Sequence, residues 1–160
     1  MEKHLIPPVY DQNCRTLILG SFPSVASRRT MFFYGHPQNR FWRVLAAVFG
    51  ADIPETREEK ISLLLSRSIA LWDVIESCDI TGSSDSSIRN IIPNDIAGLA
   101  AKAPITRIFT NGTAAHKLYQ KYCAVTVGIP DNPLPSTSPA NAACSLLQLI
   151  DSWKIIAEQS

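Results

Sequence analysis

The sequence predicts an α/β fold, a three-layer α/β/α sandwich around a central parallel four-stranded sheet, and three features lead there. Short aliphatic runs alternate with longer amphipathic stretches along the whole chain. A polar loop rich in Gly, Ser, Pro or Asn follows each run. The 160 residues, 46% hydrophobic and 18% charged, suffice for one core, and no shift in composition marks a second. A single domain over residues 1–160 is expected.

The first strand is expected at residues 15–19 (RTLIL), a buried parallel strand that ends on Gly20. A long loop follows, and then a helix with Phe41, Val44, Leu45, Val48 and Phe49 on one face and Gly50 placed to stop it. Thr56 and Glu59 form a capping box for a helix carrying Ile61, Leu64 and Leu65. Residues 69–75 (IALWDVI) read as the second strand and the Ser-rich 76–87 as a surface loop. Asn94 or Asp95 can cap a short helix running to Lys102, which Pro104 ends. Residues 106–110 (TRIFT) are the third strand, Asn111-Gly112 the turn, and a helix follows from Thr113 to Tyr122. Residues 124–129 (AVTVGI) read as the fourth strand, and a loop stiffened by Pro130, Pro133, Pro135 and Pro139 leads to a last helix over 141–157.

Fifteen basic and 14 acidic residues leave a net charge of +1, so attraction to a polyanion must come from a local patch. Residues 20–50 supply one: they hold no Asp or Glu but contain Arg28, Arg29, Arg40 and Arg43. Cys14, Cys78, Cys123 and Cys144 include no C-x-x-C pair, so no metal is expected. Pro7 and Pro8 interrupt the N-terminus where a signal peptide would be apolar, and no stretch approaches the roughly 20 apolar residues of a membrane span. An intracellular, cytoplasmic protein with no membrane partner is the expectation.

In a parallel sheet ligands sit beyond the carboxyl ends of the strands. The polar candidates fall there: residues 21–39 after the first strand, Asp73 near the end of the second, Asn111 after the third and residues 134–141 after the fourth. Asp73 is the anomaly, because a carboxylate in an apolar strand must find donors or water; it either caps the next turn or belongs to a site.

Three stretches in order, Gly20-Ser21-Phe22-Pro23, the HPQNRFW segment from His36 to Trp42, and LPSTSPAN from Leu134 to Asn141, resemble the uracil-DNA glycosylase superfamily. Its hypoxanthine (deoxyinosine) DNA glycosylase branch, related to the mismatch-specific uracil/thymine enzymes, is the nearer likeness. The resemblance covers nearly the whole chain. It implies the sandwich fold and a monofunctional glycosylase, a monomer, that flips a deaminated base out of DNA and hydrolyses its N-glycosidic bond without a metal or cofactor. Association with the nucleoid follows when it is bound to DNA.

Two positions depart from the superfamily's pattern. Phe22 stands where an Asp or Asn usually handles water, and Leu134 stands where a His or Asn usually stabilises the leaving base. The likeness therefore moves catalysis to Asn39, whose amide oxygen would orient the water; by spacing alone Asn39 also suits the N-cap of the following helix. His36 would donate to the base or to a phosphate, or serve as a structural hydrogen-bonder. Phe22 and Tyr34 are the stacking candidates, Ser21, Asp73 and Asn111 further base-binding candidates, and Phe32 and Phe33 core. Asn111 alternatively only takes a turn conformation. Ser24, Ser27, Ser136 and Ser138 suit phosphate contacts, Arg28 and Arg40 the salt-dependent attraction, and Asn141 or Leu134 the space that the base vacates. Rival readings are a G:U or G:T mismatch glycosylase, a non-catalytic nucleic-acid-binding module and, last, a domain for a small phosphorylated ligand.

Overall fold

In a computed structural model that describes residues 1–158, the elements run in chain order β1 (Glu2–Lys3), β2 (Thr16–Gly20), α1 (Val25–Thr30), α2 (Phe41–Phe49), α3 (Arg57–Ser66), β3 (Ile69–Asp73), β4 (Ile75–Asp79) and β5 (Arg89–Pro93). They continue with α4 (Ile96–Lys102), β6 (Arg107–Asn111), α5 (Thr113–Tyr122), α6 (Ala124–Val127), β7 (Asp131–Leu134) and α7 (Leu146–Trp153). The strands β3-β2-β6-β7 form the parallel four-stranded sheet, in that order.

Alternation along the strands divides the core in two. Ile18, Leu71 and Phe109 point to one face and meet Phe41, Val44 and Leu45 of α2, Leu64 of α3 and Leu149 and Trp153 of α7. Leu17, Leu19, Ala70 and Ile108 point to the other and meet Ile96 and Leu99 of α4 and Tyr119 of α5. Phe32 and Phe33 are buried in the first cluster. The Thr56 capping box forms, with its hydroxyl accepting from Glu59 N at 3.1 Å and the Glu59 carboxylate accepting from Thr56 N at 2.9 Å. Each of the three tryptophans donates its indole N–H to a backbone carbonyl of a connecting segment: Trp42 to Phe33, Trp72 to Ile6 and Trp153 to Pro135. Apolar burial and loop placement thus rest on the same side chains.

Four expectations need correction. Residues 124–129 are not a strand: Ala124 and Val127, three apart, put one helical face against the second cluster while Val125 stays 96% exposed, and Gly128 in the left-handed region (φ 77°) ends the turn. The fourth strand is Asp131–Leu134, and it accommodates Pro133 because it lies at the sheet edge. The run 69–75 serves two sheets, since β3 stops at Asp73 and Ile75 opens β4 of an antiparallel sheet ordered β1-β4-β5. The surface loop expected over 76–87 therefore begins with a strand. The last helix begins at Leu146, not 141, because Ser145 and Gln148 build a capping box there. Within the long first loop, α1 forms behind Ser24, whose hydroxyl accepts from Ser27 N.

Candidate active site

The two rows of side chains that face α2 and α7 end in polar groups. Leu71 is followed two residues later by Asp73, and Phe109 by Asn111. Gly20 is paired with Asp73 in register, and Leu19 with Thr110, so Gly20 lies between the two side chains on the middle strand. A Cβ on Gly20 would run into Asp73 Oδ1 and stand 3.0 Å from the Tyr34 hydroxyl. Glycine is needed there for space. Above it opens a cavity of about 290 Å³, lined among others by Ser21, Phe22, Tyr34, His36, Asn39, Asp73, Asn111 and Ser136 to Ala140. That volume suits one planar base, being at the small end of ligand pockets.

Thr137, fully buried, joins the two asparagines. Its N–H donates to Asn111 Oδ1 at 3.0 Å, its hydroxyl accepts from Asn111 Nδ2 at 3.0 Å, and the same hydroxyl donates to Asn39 Oδ1 at 2.9 Å. Asn39 Oδ1 also accepts from Phe41 N at 3.0 Å, at the start of α2. The two backbone N–H groups can only donate, so they fix which way both amides face. Both lone pairs of Asn39 Oδ1 are thereby occupied, and its Nδ2 hydrogens remain for a ligand. Asn39 thus supports the helix start and lines the cavity at once. The oxygen that was expected to orient water is thus engaged within the protein, and the amide nitrogen is the end left open. Asn111 keeps one N–H and one lone pair on its outer edge.

Asp73 is 3% exposed, and its Oδ2 has no hydrogen-bond partner among the described residues. It does not cap the following turn. Burial and then the negative charge of Asp85 raise its carboxyl to about 7. His4 Nε2 is 4.0 Å away but bonds the Ile75 carbonyl at 2.7 Å, and burial lowers its pKa, so it is a neutral neighbour. Tyr34 stacks on Phe41 with centroids 4.1 Å apart, and its hydroxyl is also unpartnered; burial, then the charge of Asp73, moves it upward. Its backbone is left-handed at φ 54°, a conformation that bulky residues avoid, and Ser27 Oγ accepts from the next amide, Gly35 N, at 2.9 Å.

The model for the Uracil DNA glycosylase superfamily matches residues 7–155, nearly the whole chain. The chain belongs to this superfamily. Within it, the chain is 37% identical over 143 residues to the hypoxanthine DNA glycosylase of Methanosarcina acetivorans, covering 88% of this chain and 89% of that one. It is 37% identical over 105 residues to the Methanosarcina barkeri protein of the same name, covering 65% and 66%. A solution NMR structure from Methanosarcina acetivorans, described as a candidate uracil DNA glycosylase, superposes with a TM-score of 0.81 at 33% identity over 98% of this chain and 99% of that one.

The other residues singled out for this uracil-DNA glycosylase fold part into two groups. Ser21, Phe22, Ser24, Ser27, His36, Ser136 and Ser138 all line the cavity. Ser21 donates to Asp85 Oδ1 at 2.8 Å. Phe22 is largely buried against Ile75, Cys78 and Ile88, with the Arg28 guanidinium 5.2 Å from its ring centroid. His36 Nδ1 accepts from Gln38 N, so its proton sits on Nε2 at the exposed rim. The hydroxyls of Ser24 and Ser27 hold α1 and Gly35, and those of Ser136 and Ser138 accept from amides of their own loop.

Four expected DNA contacts lie outside the lining. Leu134 is buried in the first core cluster. Asn141 donates to the Ser136 carbonyl. Arg28 pairs with Glu2 and donates to the Gly82 carbonyl. Arg40 turns its guanidinium to the carbonyls of Cys144, Ser138 and Asn141. These groups hold loops together, and the geometry leaves them little to offer a phosphate. Arg29 and Arg43 remain exposed. Thr137 went unread in the sequence, where one threonine between serines and prolines carries no distinguishing mark. Among the described residues no three His, Cys, Asp or Glu side chains converge to hold a metal, and no helix is long and apolar enough to cross a membrane.

Proposed function

We propose that this superfamily member is a monomeric, monofunctional DNA glycosylase that flips a deaminated base, hypoxanthine above all, out of DNA and hydrolyses its N-glycosidic bond, leaving an abasic site. The observation that carries the reading is the locked pair of amides, Asn39 and Asn111, joined through Thr137 beside a cavity sized for one base. Deamination turns the amidine edge of adenine into a lactam, whose C=O accepts and whose N–H donates. Asn111 offers the complementary donor and acceptor. A flipped amide, which adenine would need, would set its NH2 against Thr137 N–H.

Asn39 Nδ2 holds the attacking water by its oxygen. The oxocarbenium-like sugar is electrophilic enough that position matters more than deprotonation. Tyr34, backed by Phe41, and Phe22 provide the aromatic wall, and the serines beside them in the lining, Ser24, Ser27, Ser136 and Ser138, are the groups we assign to the bent strand. No lysine lines the cavity to form a Schiff base, which supports hydrolysis without strand cleavage.

Single-turnover cleavage of duplexes containing deoxyinosine or deoxyuridine, developed with alkali, tests this reading. The parent is expected to cleave deoxyinosine, and Asn39→Ala to lose about 100-fold or more. Asn39→Asp keeps an acceptor and lacks the donors, so it is expected to fail equally; an active Asp variant returns the water to the oxygen. Cleavage of uracil alone favours the mismatch-enzyme reading, and binding without cleavage favours the non-catalytic module. Thr137→Val, close to isosteric, removes the hydroxyl bond to each amide while the backbone N–H bonds stay, and is expected to slow the reaction about 10- to 100-fold with duplex binding weakened little.

A further inference from the structure

Hypoxanthine and uracil share the lactam edge that Asn111 reads, so Asn111 alone leaves purine and pyrimidine undistinguished. The group placed to separate them is on the next strand but one. Asp73 and Asn111 flank Gly20, two strand spacings or about 10 Å apart at the backbone, and over the glycine only the Tyr34 hydroxyl and the Asp73 carboxyl itself come close. Asp73 and Asn111 line the same cavity, so a planar base with its lactam edge on Asn111 turns its far ring toward the Asp73 side. In hypoxanthine that ring carries N7, its most basic ring nitrogen. In uracil there is no such atom.

We propose that Asp73 is the general acid of the reaction, passing its carboxyl proton to N7 of the flipped purine as the glycosidic bond breaks. The assignment rests on the reading of the chain as a deaminated-base glycosylase. The C1′–N9 electron pair moves into the purine ring while N7 takes the proton, so hypoxanthine departs neutral. Water adds to C1′, and the proton it sheds restores the Asp73 carboxyl.

The surroundings of Asp73 suit an acid. The residue lines the cavity, and its Oδ2 is buried and unpartnered among the described residues. The titratable groups that face it are His4, Tyr34 and Asp85. His4 is held neutral, with Nε2 donating to the Ile75 carbonyl; Tyr34 is a neutral phenol; Asp85 is a like charge. None supplies the cation that would keep a carboxylate ionised. The resulting elevation to about 7 leaves a large protonated fraction at neutral pH.

The test measures single-turnover rates against pH for deoxyinosine, deoxyuridine and 7-deaza-2′-deoxyinosine, in which a C–H replaces N7. With the parent, deoxyinosine cleavage is expected to fall tenfold per pH unit above about 7, and the 7-deaza base to react about 100-fold slower or worse. Asp73→Asn is expected to show the same loss on deoxyinosine, without the descending limb, while still binding a duplex that carries uncleavable 2′-fluoro-deoxyinosine. A rate that rises with pH through the same range makes Asp73 a base and overturns the proposal. So does equal cleavage of the 7-deaza base, a result that needs no variant. Deoxyinosine cleavage indifferent to pH and to N7 removes the acid and leaves the glycosylase; a parent that spares deoxyinosine removes both.

Discussion

Arg40→Met is expected to lower the unfolding free energy by about 4.5 kcal/mol, because three charge-assisted hydrogen bonds worth about 1.5 kcal/mol each are lost. The guanidinium donates to the Cys144, Ser138 and Asn141 carbonyls, and Met preserves most of the stem that packs beneath it. Those carbonyls belong to the loop that carries Thr137, and Arg40 N also donates to the Thr137 carbonyl. Urea unfolding reads the loss directly. The same variant is expected to slow deoxyinosine cleavage, since the loop that positions Thr137 against the two amides loses its side-chain anchor. A phosphate-binding Arg40 predicts a different signature: unchanged stability, and a dependence of log Kd on log salt flatter by about one.

The architecture was legible because it is written in periodicity. Strands β2, β3 and β6 and helices α2, α3, α4 and α5 appear where aliphatic runs and capping residues place them, to within a residue or two. β7 was hidden for a physical reason. Pro133 argues against a strand, while the β-branched run before it argues for one, and only the sheet edge reconciles the two. The second sheet was hidden in the same way, because Val74 is buried like its neighbours and nothing local announces that the chain changes partners there.

The lining of the cavity was legible at Asn39, Asp73 and Asn111, which stand at strand ends or in a motif. It was not legible in what those residues bond to. Thr137 reaches Asn39 across 98 positions, and Arg40 reaches its carbonyls across 98 to 104, so no local pattern links them. A basic residue in a basic stretch reads as a phosphate ligand until its acceptors are known. The same holds for Ser27, whose hydroxyl is buried under Gly35. Polar residues near this rim divide into those that build it and those that use it, and only tertiary contacts make the division.

Asp73→Asn is expected to be more stable than the parent above pH 7, the reverse of what removing a buried structural carboxylate would do. The Asp73 carboxyl sits at about 7 in the folded chain against 3.8 unfolded, first because it is buried and then because Asp85 is nearby. Folding therefore retains a proton that the unfolded chain releases. Stability from this group is complete below about 4, declines as pH rises and is lost by the time pH passes about 7. Moving a carboxyl from 3.8 to about 7 corresponds to roughly 4 kcal/mol, and roughly 10 °C in the melting temperature of a chain this size. Asn carries no charge at any of these pH values, so the two proteins should melt together near pH 4, separate steadily up to about pH 7 and keep that gap at pH 8. Thermal unfolding across that range checks it; an Asn variant that melts lower at pH 8 would mean the carboxylate is satisfied in the folded state. Higher stability combined with the lost cleavage expected of the same variant would mark Asp73 as a group kept at a cost to the fold for the chemistry it performs.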